Sequence, residues 1–250
     1  MLNSLVIMLA IIVPTIVAGL IFAWWFRASN PRAQYRPDFT YSGRIELIVW
    51  SIPTLTIIFL GGLIWIGSHE LDPWHPIPSK EKPLEVQVVS LDWKWLFIYP
   101  EEGIASVNQL EVPAGRPVHF SLTSASVMNA FFVPRLGSMV AVMYGMETQL
   151  NLQADRAGTY YGESTQFSGD GFSGMNFQLR AVAPDAFDAW IAAARGSGPS
   201  LDAAGYARLS QQSLDVKPFT YGRVARGLFE DIVAQKLPAG PGPQVGRGGP

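Results

Sequence analysis

Two places in this chain combine suggestive residue types with the spacing that chemistry needs. The first is the stretch GTYYGESTQFSGDGFSGM, Gly158–Met175. Ser164, Gln166, Ser168, Phe172 and Met175 fall at short intervals among its glycines. A loop of this length inside a compact domain is usually either functional or disordered. Its hydroxyls, amide and single thioether are weak ligands, and a soft metal needs thiolates or imidazoles. The chain has no cysteine, and none of its three histidines lies on this loop. The second place is Glu46, the one ionisable side chain within a long apolar run. Such residues are functional candidates by default.

The absence of cysteine excludes disulfides, zinc–thiolate sites, iron–sulfur clusters, thiol catalysis and the ordinary mononuclear copper sites that need a thiolate. A net charge of −2 gives no footprint for nucleic acid. His69 and His75 stand in the Pro-rich SHELDPWHPIP and read as linker residues, and His119 alternates outward on a strand and reads as solvated.

The elements that position these residues follow from hydropathy and periodicity. Of the 250 residues, 48% are hydrophobic and 15% charged. Leu5–Phe26 carries no charge, and Ile45–Gly67 carries only Glu46. At 1.5 Å per residue each run reaches roughly 33 Å as a helix, enough for a hydrocarbon core of about 30 Å. Pro14 and Pro53 inside them are tolerated in membrane helices. The first run lacks a basic leader and a small-residue cleavage site, so it reads as a membrane helix and not a signal peptide. The loop 27–44 carries Arg27, Arg32, Arg36 and Arg44 against Asp38 alone. That excess of arginine puts it in the cytoplasm and both chain ends outside.

The expected organisation is a two-helix transmembrane unit over 1–69, with helices near 5–26 and 45–67. A linker over 70–83, a periplasmic β domain over 84–182, a helical segment over 183–237 and a disordered tail over 238–250 follow. LEVQVV and RPVHFSLTS alternate in the manner of half-buried strands, with VPAGRP as a turn cluster between strands. Runs at this spacing read as an antiparallel sandwich or barrel. PDAFDAWIAAARG, SLDAAGYARLSQQS and YGRVARGLFEDIVAQKL read as three helices. The tail PAGPGPQVGRGGP is rich in Pro and Gly.

The order of two membrane helices and then a β domain, with the loop frame, resembles subunit II of the haem–copper oxidases. In copper-bearing members the loop follows G-x-Y-x-G-x-C-x-E-x-C-G-x-x-H-x-x-M. Gly158, Tyr160, Gly162, Gly169 and Met175 keep that frame. Ser164 and Ser168 stand at the two cysteines, Gln166 at the glutamate that binds through its carbonyl, and Phe172 at the histidine. Asn129, in SVMNAFFVPRLG, stands at the other histidine. FAWWFRASN, EKPLEVQVVSLDWKWLFIYPEEGIASVNQLEVPAG and SGDGFSGM narrow the resemblance to the cytochrome bo-type ubiquinol oxidases over about residues 10–235.

That resemblance implies a copper-less cupredoxin-like domain on a membrane hairpin, with short C-terminal helices, in a bacterial inner membrane. It implies no cofactor in this chain, and haems and one copper in a large subunit I. Further small membrane subunits join, and ubiquinol is the substrate of a complex that reduces dioxygen and pumps protons. Phe172 and Met175 are expected to fill the vacated space with apolar contacts. A glutamate matching Glu46, in RIELIVWSIP, lies in the family at the mouth of a proton-uptake channel. Trp93 matches the residue through which electrons enter in members that use cytochrome c. Here Phe97 and Ile98 replace the tyrosine and acid of docking members, so Trp93 reads as packing and as a lid over the old metal site. The segment 70–180 carries 12 acids against 7 bases, an ordinary surface acidity that argues little for cytochrome c docking. The competing readings are a copper-bearing subunit II of a cytochrome c oxidase, against which the lack of cysteine weighs, and a membrane-anchored periplasmic binding module.

Overall fold

The computed structural model describes residues 2–34 and 36–242, with side chains from Leu5 onward. Of the tail expected to be disordered from 238, residues 243–250 lie outside the described residues, while its start is held, with Gly240 N donating to the Ala125 carbonyl and Gly242 N to Asp92.

Helix α1 (Leu2–Trp25) and helix α2 (Gly43–Glu70) contain Pro14 and Pro53. A threonine hydroxyl on each bonds back to its own helix, which spares it an unpaired place among apolar neighbours. Thr15 Oγ1 donates to the Ile11 carbonyl at 2.8 Å and Thr56 Oγ1 to the Ile52 carbonyl at 2.7 Å. With 24 and 28 residues the helices measure about 36 and 42 Å, longer than a hydrocarbon core of about 30 Å. Neither apolar span buries any of its length within the chain. α2 outruns the expected 45–67 at both ends, because hydropathy marks the apolar stretch while helical hydrogen bonding continues into polar residues.

The second unit begins at Asp72. Its strands are β1 (Leu84–Leu91), β2 (Lys94–Tyr99), β3 (Ile104–Val107), β4 (Gln109–Pro113), β5 (Pro117–Ser124), β6 (Asn129–Phe132), β7 (Val140–Val142), β8 (Thr148–Gln153), β9 (Gly158–Ser164) and β10 (Asn176–Val182). Then follow α3 (Pro184–Ser197), β11 (Ser200–Leu201), α4 (Ala203–Leu209), β12 (Phe219–Tyr221), β13 (Arg223–Val224) and α5 (Leu228–Val233). One sheet runs β12-β3-β2-β1-β5-β8 and the other β4-β10-β9-β6-β7. The pairing is mixed and not purely antiparallel: β1 lies parallel to β5 and β4 parallel to β10. After the β1-β2-β3 meander the chain leaves for the second sheet and returns, so β5 reaches β1 by a crossover and not a tight turn.

The inner faces of both sheets make one core. Val86, Val88 and Phe120 meet Leu110, Phe131 and Phe177, and Phe131 stacks on Phe177 at 5.2 Å. Gly162 is required here, since a Cβ on it would come within 2.1 Å of the Phe177 ring. A second core covers the outer face of the first sheet: Val89, Leu91, Leu96 and Ile98 pack under Tyr206, Leu228, Phe229 and Ile232.

The segment 183–237 is therefore a covering layer and not three helices alone. Phe219–Tyr221 pairs antiparallel with β3, and α5 starts late, after Gly227 in a left-handed conformation. The linker is also anchored, as the Pro73 carbonyl accepts from Asn151 N at 3.0 Å and Asn151 Nδ2 at 3.2 Å.

Candidate functional site

Strand pairing assembles the loop residues. β6 and β9 run antiparallel with Phe131 opposite Ser164, which carries Asn129 toward the end of β9. Ser164 Oγ donates to Asn129 Oδ1 at 3.1 Å. Asn129 Nδ2 donates to Ser90 Oγ and to the Val127 carbonyl, both at 3.3 Å. Ser164 N donates to the Met175 carbonyl at 3.2 Å, and the Gln166 carbonyl lies 3.4 Å from Ser164 Oγ. Met175 is fully buried in the first core. The result is a closed cluster of neutral groups. Its donors and acceptors satisfy one another, and no base adjoins the Ser164 hydroxyl to activate it.

Ser168, farther along the loop, is held by Trp93. The β1–β2 hairpin turns through Asp92 and Trp93, with Leu91 opposite Lys94. Trp93 adopts a φ of 67 degrees. This left-handed conformation is rare for a bulky residue, and it holds the ring against the loop. Its Nε1 donates to the Ser168 carbonyl at 3.0 Å. The Ser168 hydroxyl is buried and has no partner among the described residues.

Phe172 departs from expectation. It opens a short 3-10 turn, is only half-buried, and meets the exposed Phe167 edge-on at 5.6 Å. Of the two residues expected to fill the space, Met175 is inside and Phe172 lies toward the loop surface. The donors present do not fit a dinuclear copper centre: there is no thiolate or imidazole, and the Asn129 amide is already committed to Ser90 and Ser164. Among the described residues no group of three His, Asp or Glu stands ready for a metal.

Glu46 lies in the first turn of α2, with its N–H on the Ser42 carbonyl at 2.9 Å. Its Oε2 accepts from Trp50 Nε1 at 3.1 Å. Tyr41, Gly43, Leu47 and Thr54 line the shallow groove around it. Trp50 is one turn along the same helix face, so the indole orients the carboxylate while leaving it open to the groove.

Sequence reasoning missed three buried charges and misjudged a histidine. Lys94 is 1% exposed. Its Nζ donates to the Gln211 carbonyl at 2.6 Å and contacts Ser213 Oγ at 2.5 Å. Burial lowers its pKa to about 8, against the opposing pull of Asp92. Asp92 is buried too, accepting from Ser126 Oγ and from Gly242 N. Burial raises the Glu111 pKa, which its hydrogen bond from Gln109 and the Arg180 guanidinium at 3.1 Å partly oppose. The signal was available in β2. Lys94 shares a strand face with Leu96 and Ile98, and an apolar outer face implies a cover. His119 is half-buried, with Nδ1 at 2.9 Å from Asn151 Oδ1, so it is tied to the linker anchor and not simply solvated.

The family described as cytochrome c oxidase subunit II, periplasmic domain, matches residues 102–182. Over 235 residues the chain is 47% identical to a ubiquinol oxidase subunit 2 of Acetobacter aceti, covering 93% of this chain and 76% of that one. It is 45% identical over 233 residues to the cytochrome bo(3) ubiquinol oxidase subunit 2 of Pseudomonas aeruginosa, covering 93% and 70%. Among solved structures, the periplasmic domain of subunit II of a cytochrome oxidase of Bradyrhizobium japonicum aligns with TM-score 0.44 and 23% identity, over 47% of this chain and 98% of that one.

Proposed function

Because the chain belongs to the ubiquinol oxidase subunit 2 family, we propose that it serves as subunit II of a terminal oxidase that oxidises ubiquinol, reduces dioxygen to water and pumps protons. The chain itself holds no redox centre. Haems and one copper belong to a large subunit I, and electrons arrive from a lipid-soluble donor. The observation that carries this reading is the hydrogen bond between Ser164 and Asn129. Two positions that supply a thiolate and an imidazole in copper-bearing members satisfy each other here.

The hairpin spans a bacterial inner membrane with the loop 27–44 in the cytoplasm, supported by its four arginines against one aspartate. The β domain and both ends then face the periplasm. Glu46 lies at the cytoplasmic end of α2, where a carboxylate held by Trp50 and open to a groove collects protons and hands them to a channel in the large subunit. The helix dipole also favours an acid in this first turn, which sets the position but does not require a proton role.

Purification in mild detergent with an optical spectrum tests the assignment. A haem-bearing large subunit should co-purify with this chain, and elemental analysis should find no copper assignable to it. A chain that purifies alone is a membrane-anchored binding module, and two coppers on it would restore the cytochrome c oxidase reading. Gly61 and Gly62 present bare helix surface, with no atom within 4 Å of where a methyl group would stand. Small surfaces of this kind are what close helix approach uses. Gly61→Leu should cut the yield of haem-bearing complex several-fold. Wild-type haem content would place the partner contact elsewhere.

A further inference from the structure

Between α4 and β12 the chain crosses residues 211–217 almost without backbone support. Among the described residues the one backbone hydrogen bond from this stretch is Gln211 N to the Arg208 carbonyl at 3.3 Å. Side chains from β2 and from the β3–β4 junction hold it instead. Lys94 Nζ reaches the Gln211 carbonyl and Ser213 Oγ, and Asn108 Nδ2 donates to the Val216 carbonyl at 2.8 Å. A further tie runs from Gln212 Nε2 to the Gly242 carbonyl at 2.6 Å, and Gly242 N is held by Asp92.

The stretch lies directly over the hairpin tip and the long loop. A Cβ on Gly171 would meet the Trp93 ring at 2.3 Å and Leu214 Cδ2 at 2.6 Å, so the indole, the glycine and the leucine are stacked without a gap. A Cβ on Gly174 would meet Asp215 Oδ1 at 3.1 Å. Asp215 itself takes a φ of 49 degrees, a conformation that aspartate tolerates better than most residues.

We propose that residues 211–215 are a lid, latched by Lys94 and anchored at its far end where Asn108 holds Val216, that opens by itself over Trp93 and the Gly171–Gly174 part of the loop. Its ends are fixed, since Ser210 is buried and Val216 packs on the second core. Between them Leu214 is 55% exposed, and no residue from 211 to 215 belongs to either core. A few side-chain latches set against the freedom of five backbone residues leave a small net stability, the condition for local opening. Opening exposes the Lys94 amine and one face of Trp93, at the edge of the first core, while the rest of that core and the second core stay packed. The lid is independent of the ligand losses on the loop, so it stands or falls apart from the quinol-oxidase assignment.

Lysine acylation in the assembled complex tests it, read by mass on the peptides of this chain. The chain has only five lysines, at 80, 82, 94, 217 and 236, so Lys94 is resolved. In the native complex Lys94 should react far more slowly than the other four, at a rate unchanged by mild urea. Ser213→Ala with Leu214→Ala, both on the lid, should raise the Lys94 rate about tenfold. The thiol of Ser106→Cys, buried in β3 of this cysteine-free chain, reports global opening and should keep its slow labelling rate. An unchanged Lys94 rate in the lid variant overturns the proposal. So does a Lys94 rate that rises with urea, or with the lid substitutions, in step with the Ser106→Cys thiol.

Discussion

The two candidate sites have opposite surroundings. Glu46 keeps an ionisable group and is held by little: one helical turn and the Trp50 indole. The Asn129–Ser164 cluster is held from every side and keeps nothing ionisable. Its frame rests on the Phe131–Phe177 stack, on Gly162 beneath that ring and on the β6–β9 pairing. The difference teaches that a site's scaffold and its reactive groups are maintained by separate forces. Core packing preserves the first without reference to the second, and within that frame Ser164 and Asn129 satisfy each other in one hydrogen bond.

The comparison is broken most sharply by placing thiolates and imidazoles at the loop positions of the β domain. Ser164→Cys, Ser168→Cys, Asn129→His and Phe172→His together should raise copper per complex by two, with a purple absorbance that the unchanged complex lacks. The Phe172 substitution asks most of the loop, because that ring lies toward Phe167 and must turn inward. No copper uptake by the assembled variant would mean that the loop is not a scaffold for a metal.

Next in size is the frame itself. Gly162→Val drives a side chain into the Phe177 ring, and overpacking of this kind costs about 1–3 kcal/mol. A melting midpoint several degrees lower should follow, read by calorimetry on the purified complex, and an unchanged midpoint would show that the ring yields freely. Glu46→Gln probes the other region. Turnover should slow several-fold with assembly and haem content near normal, and Glu46→Asp should recover part of it. Full activity in Glu46→Ala would leave that carboxylate with only its place in the helix. The smallest effect is expected at Ser168→Ala. Its buried hydroxyl bonds to no described residue, so removing it should change stability by less than about 0.5 kcal/mol. A large loss would reveal a hydrogen bond that matters.

Legibility followed locality. The helices were readable because an apolar run announces itself, and β1 was readable as far as Val88 because Val86 and Val88 alternate with Glu85 and Gln87. From Val89 onward the alternation vanishes and β2 is buried on both faces, since the cover comes from residues beyond 200. The parallel pairing of β1 with β5, the three-residue β12 and the burial of Lys94 depend on partners far along the chain, and no window of sequence contains them. Within the site, Ser164 and Ser168 were legible only through the loop frame of a resembled family, and Asn129 only through that family's second stretch, matched by SVMNAFFVPRLG. Their hydrogen bonds follow from strand register, and the outward lie of Phe172 follows from a neighbour, Phe167, that the frame does not mention. The lid was invisible for the same reason: SQQSLDVK carries no signal except beside the Lys94 it covers.

The second core has a consequence for how the protein is made. Val89, Leu91, Leu96 and Ile98 leave the ribosome about 140 residues before Phe229 and Ile232, which cover them. At about 5–20 residues per second that interval lasts on the order of ten seconds. Until those residues arrive, the strands that carry Val89, Leu91, Leu96 and Ile98 have an apolar face without its cover.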